Sequence, residues 1–79
     1  MNAKRDGPYE LRSLCQRLLA TLGHPVHYTL LARIVQAHSG LAPTNAEMLS
    51  ALSSLRAAGL VRRIRAGVYQ HAADTHAAR

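Results

Sequence analysis

Apolar residues recur along this chain at helical spacing in three stretches, and a β-prone stretch follows them. Leu11, Leu14, Cys15, Leu18, Leu19 and Leu22 stand three and four apart and share one helical face, which predicts a first helix over about residues 9–22. Arg12, Gln16 and Arg17 fall largely off that face. Gly23 supplies a stop and Pro25 forbids continuation, having no amide to donate. Val26-His27-Tyr28 is short and β-prone and predicts a two- or three-residue strand. From Thr29 the positions Leu30, Leu31, Ile34 and Val35 predict a second helix, running to about His38 and closed by Ser39-Gly40.

Thr44-Asn45-Ala46-Glu47 has the form of a capping box. The Thr44 hydroxyl can accept from the Glu47 amide while the Glu47 carboxylate accepts from the Thr44 amide. Met48, Leu49, Leu52 and Leu55 then predict the buried stripe of a third helix over about residues 45–58, with Gly59 as its C-terminal cap and Leu60 folded over the last turn. Two β-prone runs, 60–64 and 68–70, flank Arg65-Ala66-Gly67 and predict a hairpin with glycine in the left-handed position. Arg63 interrupts the alternation, so a bulge, a twist or a late strand start is expected.

A lone hairpin and thin helices cannot bury their apolar faces separately. The order helix, strand, helix, loop, helix, hairpin therefore predicts an α+β winged helix-turn-helix, a three-helix core with a C-terminal two-stranded wing and a short strand between helices 1 and 2. Residues 9–71 form the domain in this reading. Residues 1–8 read as a loose basic arm ending in Gly7-Pro8, and residues 72–79 as a frayed tail.

Three short motifs carry a family resemblance: His24-Pro25-Val26-His27-Tyr28 before helix 2, Ala58-Gly59-Leu60-Val61 before the wing, and Arg65-Ala66-Gly67-Val68-Tyr69 at the wing. From Leu11 to Gln70 the chain resembles winged helix domains of the HARE-HTH type, and the N-terminal domain of the bacterial RNA polymerase delta subunit. The resemblance implies a transcription- or chromatin-related module, often attached to a larger complex.

Composition narrows the functional classes. The chain has 79 residues, which sets one domain with a small core. With no Phe or Trp, that core is built from aliphatic residues and Met, and three Tyr are available as lids. Ten Lys and Arg against four Asp and Glu give a net charge of +6, which favours encounter with a polyanion, nucleic acid before membrane surface. Nine of the ten basic residues are Arg, whose planar fork suits phosphate and guanine. The single Cys15 fits a reducing compartment and a place in the core. No apolar leader and no spanning segment is read, so a cytoplasmic protein, nucleoid-associated if bacterial, is expected.

Catalysis is not expected. Gly23, Gly40, Gly59 and Gly67 are isolated breakers rather than a phosphate loop, and Asp6, Glu10, Glu47 and Asp74 are scattered. No cofactor and no metal is expected, since His24 and His27 straddle Pro25 and His71 and His76 sit near the end.

The expected partner is double-stranded DNA. On helix 3, Asn45 is a candidate for adenine and Arg56 for guanine or phosphate, while Ser50, Ser53 and Ser54 permit close approach to the backbone. The densest cluster is Arg62, Arg63 and Arg65, three charges within four positions at the wing. Charge on an edge strand also deters strand-to-strand aggregation, but that use rarely needs three arginines together. Lys4 and Arg5 are candidates for an arm along the backbone or in a minor groove. Glu47 opposes phosphate at the same surface. The alternative is a protein-interaction adaptor, with a homodimer through Leu18, Leu19 and Leu22 of helix 1 as one form of it. RNA comes third, since stacking on single strands favours Phe and Trp.

Overall fold

A computed structural model of the chain describes residues 3–72, with side chains from residue 10 onward. Its elements are α1 (Ala3–Leu22), β1 (Val26–His27), α2 (Tyr28–Ser39), α3 (Asn45–Ala57), β2 (Val61–Arg65) and β3 (Val68–His71). This is a small α+β fold of three helices and a three-stranded antiparallel sheet, in the order β1-β3-β2. The helical and strand segments predicted from residue 9 onward are all present, and apart from the start of α1 their ends are displaced by no more than one or two residues.

The main departure is at the start. Helix α1 runs through Gly7-Pro8 to Ala3, so Lys4 and Arg5 lie on its first turn rather than in a loose arm. Pro8 removes one bond of the ladder, the one its amide would give to the carbonyl of Lys4, and does so close to an end whose first amides lack partners anyway. Beyond Ala72, the tail expected from sequence lies outside the described residues.

The core is aliphatic. Leu19, Leu31, Val35, Met48, Leu52 and Cys15 are fully buried, and the sheet adds Val26, Val61 and Tyr69 from one face. In α3 the buried stripe is Met48, Ala51, Leu52 and Leu55, not Leu49, which is exposed. The reason is angular: 48, 51, 52 and 55 close a stripe at offsets of three, four and seven, and Leu49 lies about 100° from its neighbour Met48. In α2, Leu31 and Val35 are buried and Ile34 is half-buried, while Leu30 is 50% exposed, so the apolar face is narrower than the pattern predicts. On α1, Leu19 is fully buried, and Leu18 and Leu22 pack half-buried against the same core. Leu19 is thus spent within the fold, and Leu18 and Leu22 are each partly covered by it.

The ends of α3 follow the sequence signals. The Thr44 side chain accepts from the Glu47 amide at 3.1 Å, and the Thr44 amide donates to Glu47 Oε1 at 2.8 Å. At the other end Gly59 has φ +79°, the Leu60 amide reaches back to the Leu55 carbonyl at 2.9 Å and the Gly59 amide to Arg56 at 3.0 Å. These are the two bonds of a Schellman motif. They turn the chain directly into β2.

Gly67 carries a tighter constraint. Its φ is +78°, and a Cβ there would lie 2.8 Å from His27 Nε2. The imidazole is not free to withdraw. Its Nδ1 accepts from the Thr29 amide at 3.2 Å, capping α2, and lies 2.8 Å from the Thr29 hydroxyl. The ring also stacks on Tyr28 at 4.8 Å between centroids. The Tyr28 amide in turn donates to the Gly67 carbonyl at 2.9 Å.

Two predictions follow from this packing. Gly59→Ala should destabilise the fold by about 1 kcal/mol through φ alone, and Gly67→Ala by roughly 2–3 kcal/mol because the His27 contact is added. Urea denaturation of both variants, and of Gly67→Ala in a His27→Ala background where the excess should vanish, checks this. Burial also pushes the Cys15 thiol from 9.0 up to about 11. The folded state therefore holds the proton longer than the unfolded chain, so this group costs no stability below about pH 9 and weakens the fold progressively as pH rises towards 11. Thiol labelling at pH 8 should be slow in the native protein and fast in urea, and Cys15→Ala should flatten the alkaline loss of stability.

Candidate nucleic-acid interface

Strand β2 lies at an edge of the sheet, paired only with β3. Val61 faces His71, Arg62 faces Gln70 and Arg63 faces Tyr69, but Arg65 faces Val68, leaving Ile64 as an extra residue. This is the irregularity that Arg63 signals in the sequence, placed one residue later. Cross-strand partners share a face, and successive residues alternate. Arg63 therefore lies on the face of the buried Tyr69, whereas Arg62 and Arg65 share the face of Gln70 and Val68. Residues three apart on a regular strand would point to opposite sides. The bulge is what brings Arg62 and Arg65 to one face and leaves Arg63 on the other.

All three arginines are exposed, and so is Ile64, at 40%. Strand β1 lies along the opposite side of β3, with His27 against Gly67. Among the described residues the charges therefore stand on the longer of the sheet's two outer strands. Strand β2 also packs against α3, which puts the arginine strand and the third helix in one unit.

On α3, Asn45, Ser50, Ser53, Ser54 and Arg56 are all exposed, but they do not form one cluster. Relative to the buried stripe, Asn45, Leu49 and Arg56 follow one flank, Glu47 and Ser54 the other, and Ser50 and Ser53 lie near the crest with Ala46 and Ala57. Ser50 and Ser54 open into a groove of about 590 Å³ between α1 and α3, lined also by residues 41–43 of the loop before α3. Leu11 and Arg12 form its α1 side, and Ala46, Glu47 and Ala51 complete the α3 side. Glu47 is committed through Oε1 to the Thr44 amide, which holds its carboxylate at the start of the helix. Lys4 and Arg5 fall on the opening turn of α1, and their side chains lie outside the described residues.

The groove was not legible from the sequence, because its lining comes from three separate segments. The exposure of Leu30 and Leu49 was equally hidden, since both occur in runs of apolar residues where a one-residue rotation decides which is buried. Ile64 had a signal, namely a β-branched residue beside the break in alternation. His27 had one too, lying directly before a helix and two residues from Thr29.

Among the described residues no group of three His, Cys, Asp or Glu side chains is placed to hold a metal ion, and no helix is long and apolar enough to cross a membrane. His27 Nδ1 is taken up by Thr29, and His24 Nδ1 lies 3.1 Å from the carbonyl oxygen of Pro25. Compared with known protein families, with curated proteins and with solved structures, the chain matches none.

Proposed function

We propose that this chain is a winged-helix domain that binds duplex DNA through β2 and α3, in a transcriptional regulator or a nucleoid-associated factor. The element order supports the winged-helix reading: helix, short strand, helix, helix and hairpin, with β1 pairing on the hairpin. The resemblance to HARE-HTH domains and to the polymerase delta subunit belongs to the same reading and points to a larger transcription complex as a further partner.

One observation carries the DNA-binding reading: a bulged open edge that distributes three exposed arginines over both faces of a hairpin, on a chain of net charge +6. Arginines on a single face could line one phosphate strand. Placed on both faces, they can meet phosphates on either side of a groove, where each contact releases counterions. In this reading Asn45 and Arg56 supply base or phosphate contacts from α3, Ser50, Ser53 and Ser54 let the backbone approach, and Lys4 and Arg5 add to the field.

The adaptor reading is favoured by a different observation, the groove between α1 and α3 together with the exposed Leu30 and Leu49. A homodimer through helix 1 would have to use Leu18 and Leu22, which are half-buried against the core, since Leu19 is fully buried.

The test is binding to a random duplex pool across a salt series, for the wild type and the Arg62→Ala, Arg63→Ala, Arg65→Ala triple variant. Wild-type binding should fall steeply with salt. The variant, folded by circular dichroism, should bind at least about 100-fold more weakly at moderate salt, with a log–log slope reduced by about 2–3. Absence of wild-type binding even at low salt would sink the DNA reading and leave the groove as the functional surface.

A further inference from the structure

We infer that Ile64 is a specificity-determining residue that contacts the floor of the minor groove and makes the hairpin prefer A·T over G·C base pairs, an inference that rests on the DNA-binding reading. The starting point is what α3 lacks. Its crest carries only the short side chains of Ala46, Ser50, Ser53 and Ala57. Its two long base-reading candidates, Asn45 and Arg56, are eleven residues apart, about 16 Å along the axis. Such a helix can lie close to DNA, but it has little with which to read a sequence. Discrimination has to come from another element.

The hairpin edge has the composition of a minor-groove reader. Ile64 is the unpaired residue of the bulge, 40% exposed, and its chain neighbours Arg63 and Arg65 lie on opposite faces of the sheet. The minor groove is about 6 Å wide, with phosphates along both walls and base edges at the floor. Guanidinium groups on two faces suit the two walls, and the residue between them meets the floor. An aliphatic side chain distinguishes base pairs there in one way. A·T pairs expose only acceptors, deep in a groove that narrows in A-tracts, whereas each G·C pair adds the guanine 2-amino group. Ile64 would clash with that amino group and strip its water without offering an acceptor, a polar group left unpaired. Narrow A·T segments also carry the stronger negative potential, which draws the flanking arginines to the same sequences.

An isolated exposed isoleucine is ordinary on a protein surface. Ile64 differs in its place: the bulge removes its cross-strand partner, and charges of the same sign flank it on both sides of the sheet.

The experiment measures affinities at one salt concentration for three duplexes of equal length, built from A·T, G·C and inosine·C pairs. Inosine·C keeps the major-groove edge of G·C but lacks the 2-amino group in the minor groove. The wild type should bind A·T and inosine·C alike and G·C about tenfold more weakly, the scale of removing an aliphatic contact. Ile64→Ala should bind all three within about twofold while keeping the wild-type salt slope, and Ile64→Val should retain most of the preference, which separates lost contact from lost strand structure. Equal wild-type binding to all three, inosine·C tracking G·C, or an Ile64→Ala variant that keeps the preference would each overturn the role of Ile64 while leaving DNA binding standing. Failure of the wild type to bind any duplex would instead overturn the reading beneath it.

Discussion

The contact between Gly67 and His27 is the constraint on which the sheet depends. The turn of the β2–β3 hairpin can sit against the start of α2 only because residue 67 has no side chain, and the imidazole occupies the space where one would be. The same imidazole caps α2 through Thr29, and the Tyr28 amide bonds to the carbonyl of Gly67. Hairpin, short strand and helix thus meet at one point where each satisfies a backbone group of another. With β3 paired to β1 on one side, the hairpin cannot swing freely, and its remaining edge is held in a defined place relative to the helices.

That remaining edge is where order and irregularity are both used. A regular strand carrying Arg62, Arg63 and Arg65 would place its charges by strict alternation. The extra residue at Ile64 shifts the phase, so Arg62 and Arg65 become neighbours on one face and Arg63 stands on the other. The Schellman turn at Gly59 then fixes how closely β2 follows α3.

Much of the fold was legible because its signals are local. The capping box at Thr44 and Glu47, the left-handed glycines at 59 and 67 and the break in alternation at Arg63 each name a backbone geometry within a few residues. What was not legible depends on rotation or on distance. Leu49 and Ala51 exchange their expected roles through a small turn of α3 about its axis, and hydrophobicity alone favours the leucine. The extension of α1 through Gly7-Pro8 runs against local preference. The candidate site divides in the same way. The arginine cluster could be read directly, but the separation of Asn45 and Arg56 from Ser54 and the groove appears only once α3 is docked on α1.

The composition of the core carries a thermodynamic consequence. Among the described residues every buried side chain is hydrophobic, and only Tyr69 is aromatic. Stability therefore draws almost entirely on withdrawing aliphatic surface from water, a driving force that is mainly entropic near room temperature and fades on cooling. Among the described residues no polar or charged side chain is buried to supply enthalpy in its place. Such a domain has a curved stability profile with its maximum well above freezing, and it loosens towards both ends of the temperature scale.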